Sequence, residues 1–272
     1  MSAPADPLSP YRADALAGHV AIVTGGATGI GRAIALAFAR LGADVCIASR
    51  KAEVLTAAAA ELGAATGRAV LAVPADVRNP DDGVRVVEAT VARFGKLDTL
   101  VNNAAGNFLA PAATLSPNGL RTVVDIDLGG TFHMCKAGFA ALSASGAGVI
   151  LNITATLHYH GTPLQLHASA AKAGVDALTR NLAVEWGGAG IRVNGIAPGP
   201  IADTEGMRRL APGDAAARAR RGIPLGRFGA ADEIAAAAVF LRSPAAAYVT
   251  GTVLVVDGGH CINQPMFVMT DG

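Results

Sequence analysis

The 272-residue chain is short of charge, of cysteine and of long uninterrupted apolar runs. Only 16% of its residues are charged, and 22 Lys plus Arg against 21 Asp plus Glu leave a formal net charge of +1. That balance argues against a nucleic-acid groove and against a surface built for anionic membranes. Cys46, Cys135 and Cys261 lie far apart without metal-ligand spacing, so neither a disulfide framework nor a metal site is expected. The longest uncharged stretch, 137–171, is broken by Asn152, Pro163, His158, His160, His167 and several glycines, so no membrane span is expected. The Pro/Ala-rich segment 1–17 lacks a basic flank followed by an apolar core and reads as an arm, not a signal peptide. Thr270-Asp271-Gly272 matches no organelle address, and a cytoplasmic protein is the expectation.

What the chain does contain is a rhythm. The length suits one large α/β domain, here residues 18–272, better than two small ones. Continuous apolar runs at Val20–Val23, Val45–Ala48, Val70–Val73, Thr99–Val101, Val149–Ile153, Ile191–Ile196 and Val253–Val256 read as strands covered by helices on both faces. Helical patterns separate them at Gly29–Leu41, Glu53–Leu62, Asp81–Phe94, Gly119–Ala141, Ala168–Trp186 and Asp232–Leu241. The alternation predicts a single-domain Rossmann fold, a doubly wound, seven-stranded parallel sheet. Residues 199–222 break the rhythm with Pro200, Gly206, Pro212 and Gly213, as a substrate-covering insertion after a strand end would.

The first strand runs into Thr24-Gly25-Gly26-Ala27-Thr28-Gly29-Ile30-Gly31 and then a helix. Glycines there allow a tight turn and a close backbone approach to a pyrophosphate at a helix N-terminus. The second strand ends in Ser49-Arg50-Lys51, where an NAD enzyme usually carries an acid. Arg50 at this place suits the 2′-phosphate of NADPH. Asp76-Val77 and Asn103-Ala104-Ala105-Gly106 close the third and fourth strands, where adenine and ribose would lie.

These segments, with Pro198-Gly199-Pro200-Ile201, make the chain similar to the short-chain dehydrogenase/reductase superfamily from about Gly18 to Gly259. That resemblance implies a nicotinamide cofactor and commonly a homotetramer. Most members place a Tyr four residues before a Lys on one helix; here Lys172 is present and Ala168 stands in the Tyr position. The position of the usual Asn falls on Asp127, and that of the usual Ser near Thr154-Ala155-Thr156-Leu157. Alanine cannot donate a proton, which argues against an ordinary alcohol dehydrogenase. Ala104–Leu109, Asp125-Ile126-Asp127, Asn152–Leu157 and Leu182–Gly187 resemble the peroxisomal type of 2,4-dienoyl-CoA reductase, the branch that lacks this Tyr.

The resemblance implies hydride delivery to C5 of a dienoyl thioester and protonation at C2, leaving a 3-enoyl-CoA. It implies Asp127 and Lys172 as the catalytic pair around a proton-donating water, with Lys172 also touching the cofactor. Thr154 joins the cofactor residues; Asn107, Phe108, Thr156, Leu157 and Arg208 are the substrate candidates. The mitochondrial type uses a Tyr in the loop after the fifth strand, and that position falls on Leu157, two residues before Tyr159. Two rival readings share the fold: a reductase of another acyl-CoA or carbonyl substrate, and a non-catalytic NADP-binding scaffold.

Overall fold

The computed structural model describes residues 6–202, 204 and 219–263. Seven parallel strands form one sheet: β1 (Val20–Thr24), β2 (Asp44–Ser49), β3 (Val70–Pro74), β4 (Thr99–Asn102), β5 (Gly148–Ile153), β6 (Ile191–Pro198) and β7 (Val253–Val256). Their order is β3-β2-β1-β4-β5-β6-β7, so the chain reverses direction between β1 and β4 and opens a crevice at the strand C-termini there. The seven strands fall where the apolar runs place them. The edges differ from the centre: β1 and β5 are buried throughout, whereas most of β3 and all of β7 are partly or fully exposed.

Among the described residues seven α-helices carry the connections: α1 (Gly29–Arg40), α2 (Ala52–Thr66), α3 (Pro80–Phe94), α4 (Pro117–Val124), α5 (Gly130–Ala144), α6 (Leu166–Trp186) and α7 (Ala231–Arg242). Successive strand residues feed opposite layers. Ala21 and Val23 of β1 pack with α1 and α7, while Ile22 packs with α3, α5 and α6. Burying each such side chain contributes about 1.5–3 kcal/mol, which is why runs without polar alternation persist in the central strands. Among the described residues no helix is long and apolar enough to cross a membrane.

The arm lies against its own chain. Leu8 and Leu16 are buried in the α1 layer, the Leu16 amide donates to Leu41 O at 2.8 Å, and Arg40 pairs with Asp6 at 2.7 Å.

One expectation needs correction. The pattern 119–141 reads as a single helix, but α4 and α5 are separated by a π turn, Asp125–Gly129. Here the Gly130 amide reaches Asp125 O, five residues back. The wide turn rotates Asp127 into the interior, where it is 1% exposed. Gly130 permits it: a Cβ there would stand 2.5 Å from Val77 Cγ2. Such turns inside helices occur often at functional sites.

Candidate active site

At the β1–α1 junction the glycine loop is tied to the end of β4. Thr24 Oγ1 accepts the amides of Asn103 at 2.9 Å and Ala104 at 3.0 Å. Asn103 Nδ2 returns bonds to Thr24 O at 3.0 Å and Gly25 O at 3.3 Å. Gly25 (φ +64°) and Gly31 are required by this lacing, since a Cβ would lie 2.7 Å and 2.4 Å from Asn103 Nδ2. Thr28 and Ile30 flank Gly29 at the start of α1, so the helix N-terminus opens on the crevice. Thr204 packs on the same turn, its Cγ2 3.8 Å from a Cβ built on Gly29.

Around this loop stand the other cofactor candidates. Ser49 ends β2, and the Arg50 and Lys51 side chains after it are exposed, with no carboxylate partner among the described residues. Asp76 is held by Arg78 at 2.5 Å, and that hydrogen bond lowers its carboxyl below the usual range. Val77 abuts the start of α5, with its carbonyl 3.0 Å from His133 Nδ1. Ala105 and Gly106 continue the β4 end towards the π turn. On the far side, Pro198 closes β6, Gly199 lies too close to Asp257 for any side chain (2.6 Å to a built Cβ), and Ile201 is buried beside Gly229.

Lys172 and Asp127 do meet. Lys172 is 7% exposed; its Nζ donates to Ile153 O at 2.9 Å and lies 3.4 Å from Asp127 Oδ2. The other carboxylate oxygen accepts the Gly106 amide at 2.7 Å, tying the β4 loop to the π turn. Thr131 Oγ1 holds the Asp127 carbonyl at 2.6 Å. An ammonium has three donors, so after Ile153 O and Asp127 one remains for a ribose hydroxyl or a water. Polar side chains key α6 to the sheet: Asn102 Nδ2 donates to Asn152 Oδ1 and Asn152 Nδ2 to Thr179 Oγ1, each at 2.9 Å. The neighbouring Asp125 shares the π turn but is exposed, whereas Asp127 meets Lys172.

Both positions at which a tyrosine could stand are apolar and adjacent. Ala168, 2% exposed, packs with Val123 and Ala171, and Leu157 closes the same small cluster. Tyr159 is turned elsewhere: its hydroxyl donates to Asp176 Oδ2 at 3.1 Å, and burial together with Asp176 raises its pKa. That is opposite to the shift a proton-donating tyrosine needs.

The substrate candidates are partly gathered. Asn107 Nδ2 donates to Gln165 Oε1 at 2.6 Å, and Phe108 stacks on His167 with centroids 4.3 Å apart. These two contacts zip the β4 loop to the start of α6, and neither Gln165 nor the stacking role of His167 is visible in the sequence, because the partners lie 58 or more residues apart. Thr154 and Thr156 are buried, the former with Oγ1 donating to Lys172 O at 3.4 Å. Arg208 lies outside the described residues. Among those described, no group of three or more His, Cys, Asp or Glu could hold a metal.

Comparison with known proteins agrees with this arrangement. Residues 25–261 match the family described as enoyl-(acyl carrier protein) reductase. A peroxisomal 2,4-dienoyl-CoA reductase of Arabidopsis thaliana is 49% identical over 266 residues, covering 94% of this chain and 89% of the relative. Its namesake from Danio rerio is 50% identical over 250 residues, covering 92% and 83%. The crystal structure of a short-chain dehydrogenase from Bacillus anthracis superposes with a TM-score of 0.84 at 43% identity, covering 93% of this chain and all of that one. The expectation of a cytoplasmic protein is overturned by the relatives, which are named as peroxisomal enzymes. With this fold and a family match over residues 25–261, the chain belongs to the short-chain dehydrogenase/reductase superfamily, and the 2,4-dienoyl-CoA reductases are relatives about half identical to it.

Proposed function

We propose that the chain reduces 2,4-dienoyl-CoA thioesters to 3-enoyl-CoA with NADPH, as in auxiliary fatty-acid β-oxidation. The observation that carries this reading is that Ala168 and Leu157 share one apolar cluster, where a tyrosine would stand, while Lys172 and Asp127 form a buried pair. Reducing a ketone requires protonation of an alkoxide where a tyrosine hydroxyl would stand, and nothing there can donate. Reducing a conjugated thioester requires only that an enolate be stabilised and a carbon protonated.

The chain's own residues divide that work. The glycine loop and the α1 N-terminus receive the pyrophosphate, Arg50 the 2′-phosphate, and Lys172 the nicotinamide ribose. Arg50, exposed and in no ion pair among the described residues, and the lack of an acid at the end of β2 support NADPH over NADH. When bound, NADPH supplies the hydride that arrives at C5. Lys172 and Asp127 hold the water that delivers a proton at C2, Lys172 by donating and Asp127 by accepting. Asn107, Phe108, Thr156 and Leu157 form the wall against which the planar acyl chain packs. A second copy of the chain covers the apolar surface of α5 and α6, where Phe132, Phe139 and Val184 are exposed, and a homotetramer is the assembly this reading expects.

Mixing the protein with NADPH and a trans-2,trans-4-dienoyl-CoA tests the reading. Nicotinamide and diene absorbance should fall together, one for one; binding of NADPH without loss of diene absorbance would overturn it. Arg50→Ala should weaken NADPH binding roughly 10–100-fold, the loss of one charge-assisted phosphate contact, and leave NADH binding unchanged.

A further inference from the structure

The turn that leads into α6 holds a leucine where the backbone asks for glycine. Pro163 and Leu164 form its corners, and Leu164 has a φ of +66°. Proline suits the first corner of such a turn, but a left-handed second corner ordinarily takes glycine or asparagine, because a Cβ crowds the following carbonyl. Every other residue of positive φ among those described is a glycine. The leucine gains little burial there, being 43% exposed. Neither turn chemistry nor core packing accounts for it, and strained residues of this kind gather at ligand-binding sites.

The strained turn is laced to the loop after β4. Leu164 O accepts the Ala110 amide at 2.9 Å, Asn107 meets Gln165, and Phe108 stacks on His167. The two segments so joined carry Phe108, Leu109, Leu164 and Leu166, which are 40%, 41%, 43% and 49% exposed. Their place in the fold follows from α6. Lys172 Nζ bonds to the carbonyl of Ile153, the last residue of β5, and α6 runs back from the crevice towards the start of β6. Residues before Lys172 therefore stand farther out, and Leu166 lies about 9 Å from it along the helix, at 1.5 Å per residue. The wall assigned to Phe108 thus continues outward, at the mouth of the crevice, in Leu109, Leu164 and Leu166.

A dienoyl thioester reacts at C2 to C5, beside Lys172, so the remaining methylenes of a long chain have to leave outward. Segments 104–110 and 161–169 contain no Lys, Arg, Asp or Glu, which suits hydrocarbon and not the phosphates of the CoA. We propose that Leu164, with Leu109 and Leu166, receives the distal methylenes of the acyl chain and selects for long-chain thioesters. This rests on the reading of the crevice as a dienoyl-CoA site.

Kinetics on NADPH-saturated enzyme with trans-2,trans-4-hexadienoyl-CoA and trans-2,trans-4-tetradecadienoyl-CoA test it, with melting temperature and sedimentation alongside. Leu164→Gly relieves the strain and removes the side chain. The ratio of KM for the long thioester to KM for the short one should rise about tenfold, the loss of one partly buried leucine contact. The kcat ratio should stay put, because contacts far from the reacting atoms are alike in the ground and transition states. Tm should stand at or above that of the wild type, since glycine adopts this φ freely. Leu166→Gln leaves the turn intact and should move the KM ratio the same way; it decides should Leu164→Gly fail to fold. An unchanged KM ratio in the variant that folds would overturn the proposal, whatever happens to Tm. A lower assembly mass in Leu164→Gly would overturn it too, by giving the leucine to a contact between subunits. Should the wild type reduce neither thioester, the reading of the crevice fails by itself, and calorimetry with tetradecanoyl-CoA and hexanoyl-CoA decides the mouth. Equal affinities, or a preference for the long chain that survives in Leu164→Gly, would overturn it there; a preference that the variant loses would sustain it.

Discussion

Two buried carboxylates meet α6 one turn apart, Asp127 at 1% and Asp176 at 3% exposure, and their surroundings are arranged for different work. Asp127 comes from the π turn and faces Lys172; Asp176 stands on α6 itself, four residues beyond Lys172. Asp176 Oδ2 accepts from Tyr159 Oη at 3.1 Å and lies 2.8 Å from His158 Nε2, both from the loop after β5. It staples that loop to its helix, and its partners turn inward on one another. Asp127 instead joins two different elements at the C-terminal edge of the sheet, and its ammonium partner keeps a donor to spare. Burial and a close side-chain partner are common to both sites. What separates them is an unspent donor beside the crevice, where a doubly wound sheet places its ligands.

Breaking the first site should be far more damaging to turnover than breaking the second. Lys172→Ala removes the ammonium that serves Asp127, the water and the cofactor at once, so kcat should fall by at least about 10³-fold in single-turnover assays. Asp127→Asn keeps an acceptor for the Gly106 amide and removes the charge beside Lys172. Its kcat should fall roughly 10²-fold while Tm stays within a few degrees. A Tm loss as large as the activity loss would instead make Asp127 a structural residue. Asp176→Asn should show the reverse pattern. Losing bonds to a buried charge costs roughly 2 kcal/mol, or about 5 °C in Tm for a chain of this size, with kcat kept within about threefold.

The same contrast marks how far the sequence can be read. The strands were legible because burial on both faces demands unbroken apolar runs, and only the edge strands β3 and β7 turned out less buried than such runs imply. The Ala168–Lys172 relation was legible because a helix spaces positions i and i+4 on one face, whatever surrounds it. The π turn was not, since Asp125–Gly129 has ordinary helix composition, and only the Gly129-Gly130 doublet hinted that Val77 needed room there. Nor could periodicity pair Gly106 with Asp127, Asn107 with Gln165, or Phe108 with His167, because tertiary folding alone brings these segments together. Tyr159 shows the converse: sequence position left it near the tyrosine position, and only its bond to Asp176 removes it from consideration.

That bond yields the smallest expected effect and the finest test of the contrast. Tyr159→Phe deletes one hydrogen bond to Asp176 and should cost about 1 kcal/mol near neutral pH, with dienoyl-CoA reduction unchanged. Burial and Asp176 both raise the Tyr159 pKa in the folded chain above the ordinary tyrosine value of about 10. The folded state therefore holds this proton more tightly than the unfolded state does. Its contribution to stability is complete below about pH 10 and is lost as pH rises from there towards the folded value. Melting curves across that alkaline range should converge, the wild type falling more steeply than Tyr159→Phe. Parallel curves would mean that the phenol is solvated and the staple loose. A loss of turnover in Tyr159→Phe at neutral pH, without loss of Tm, would mean that the hydroxyl reaches the substrate and that Asp176 belongs with Asp127 after all.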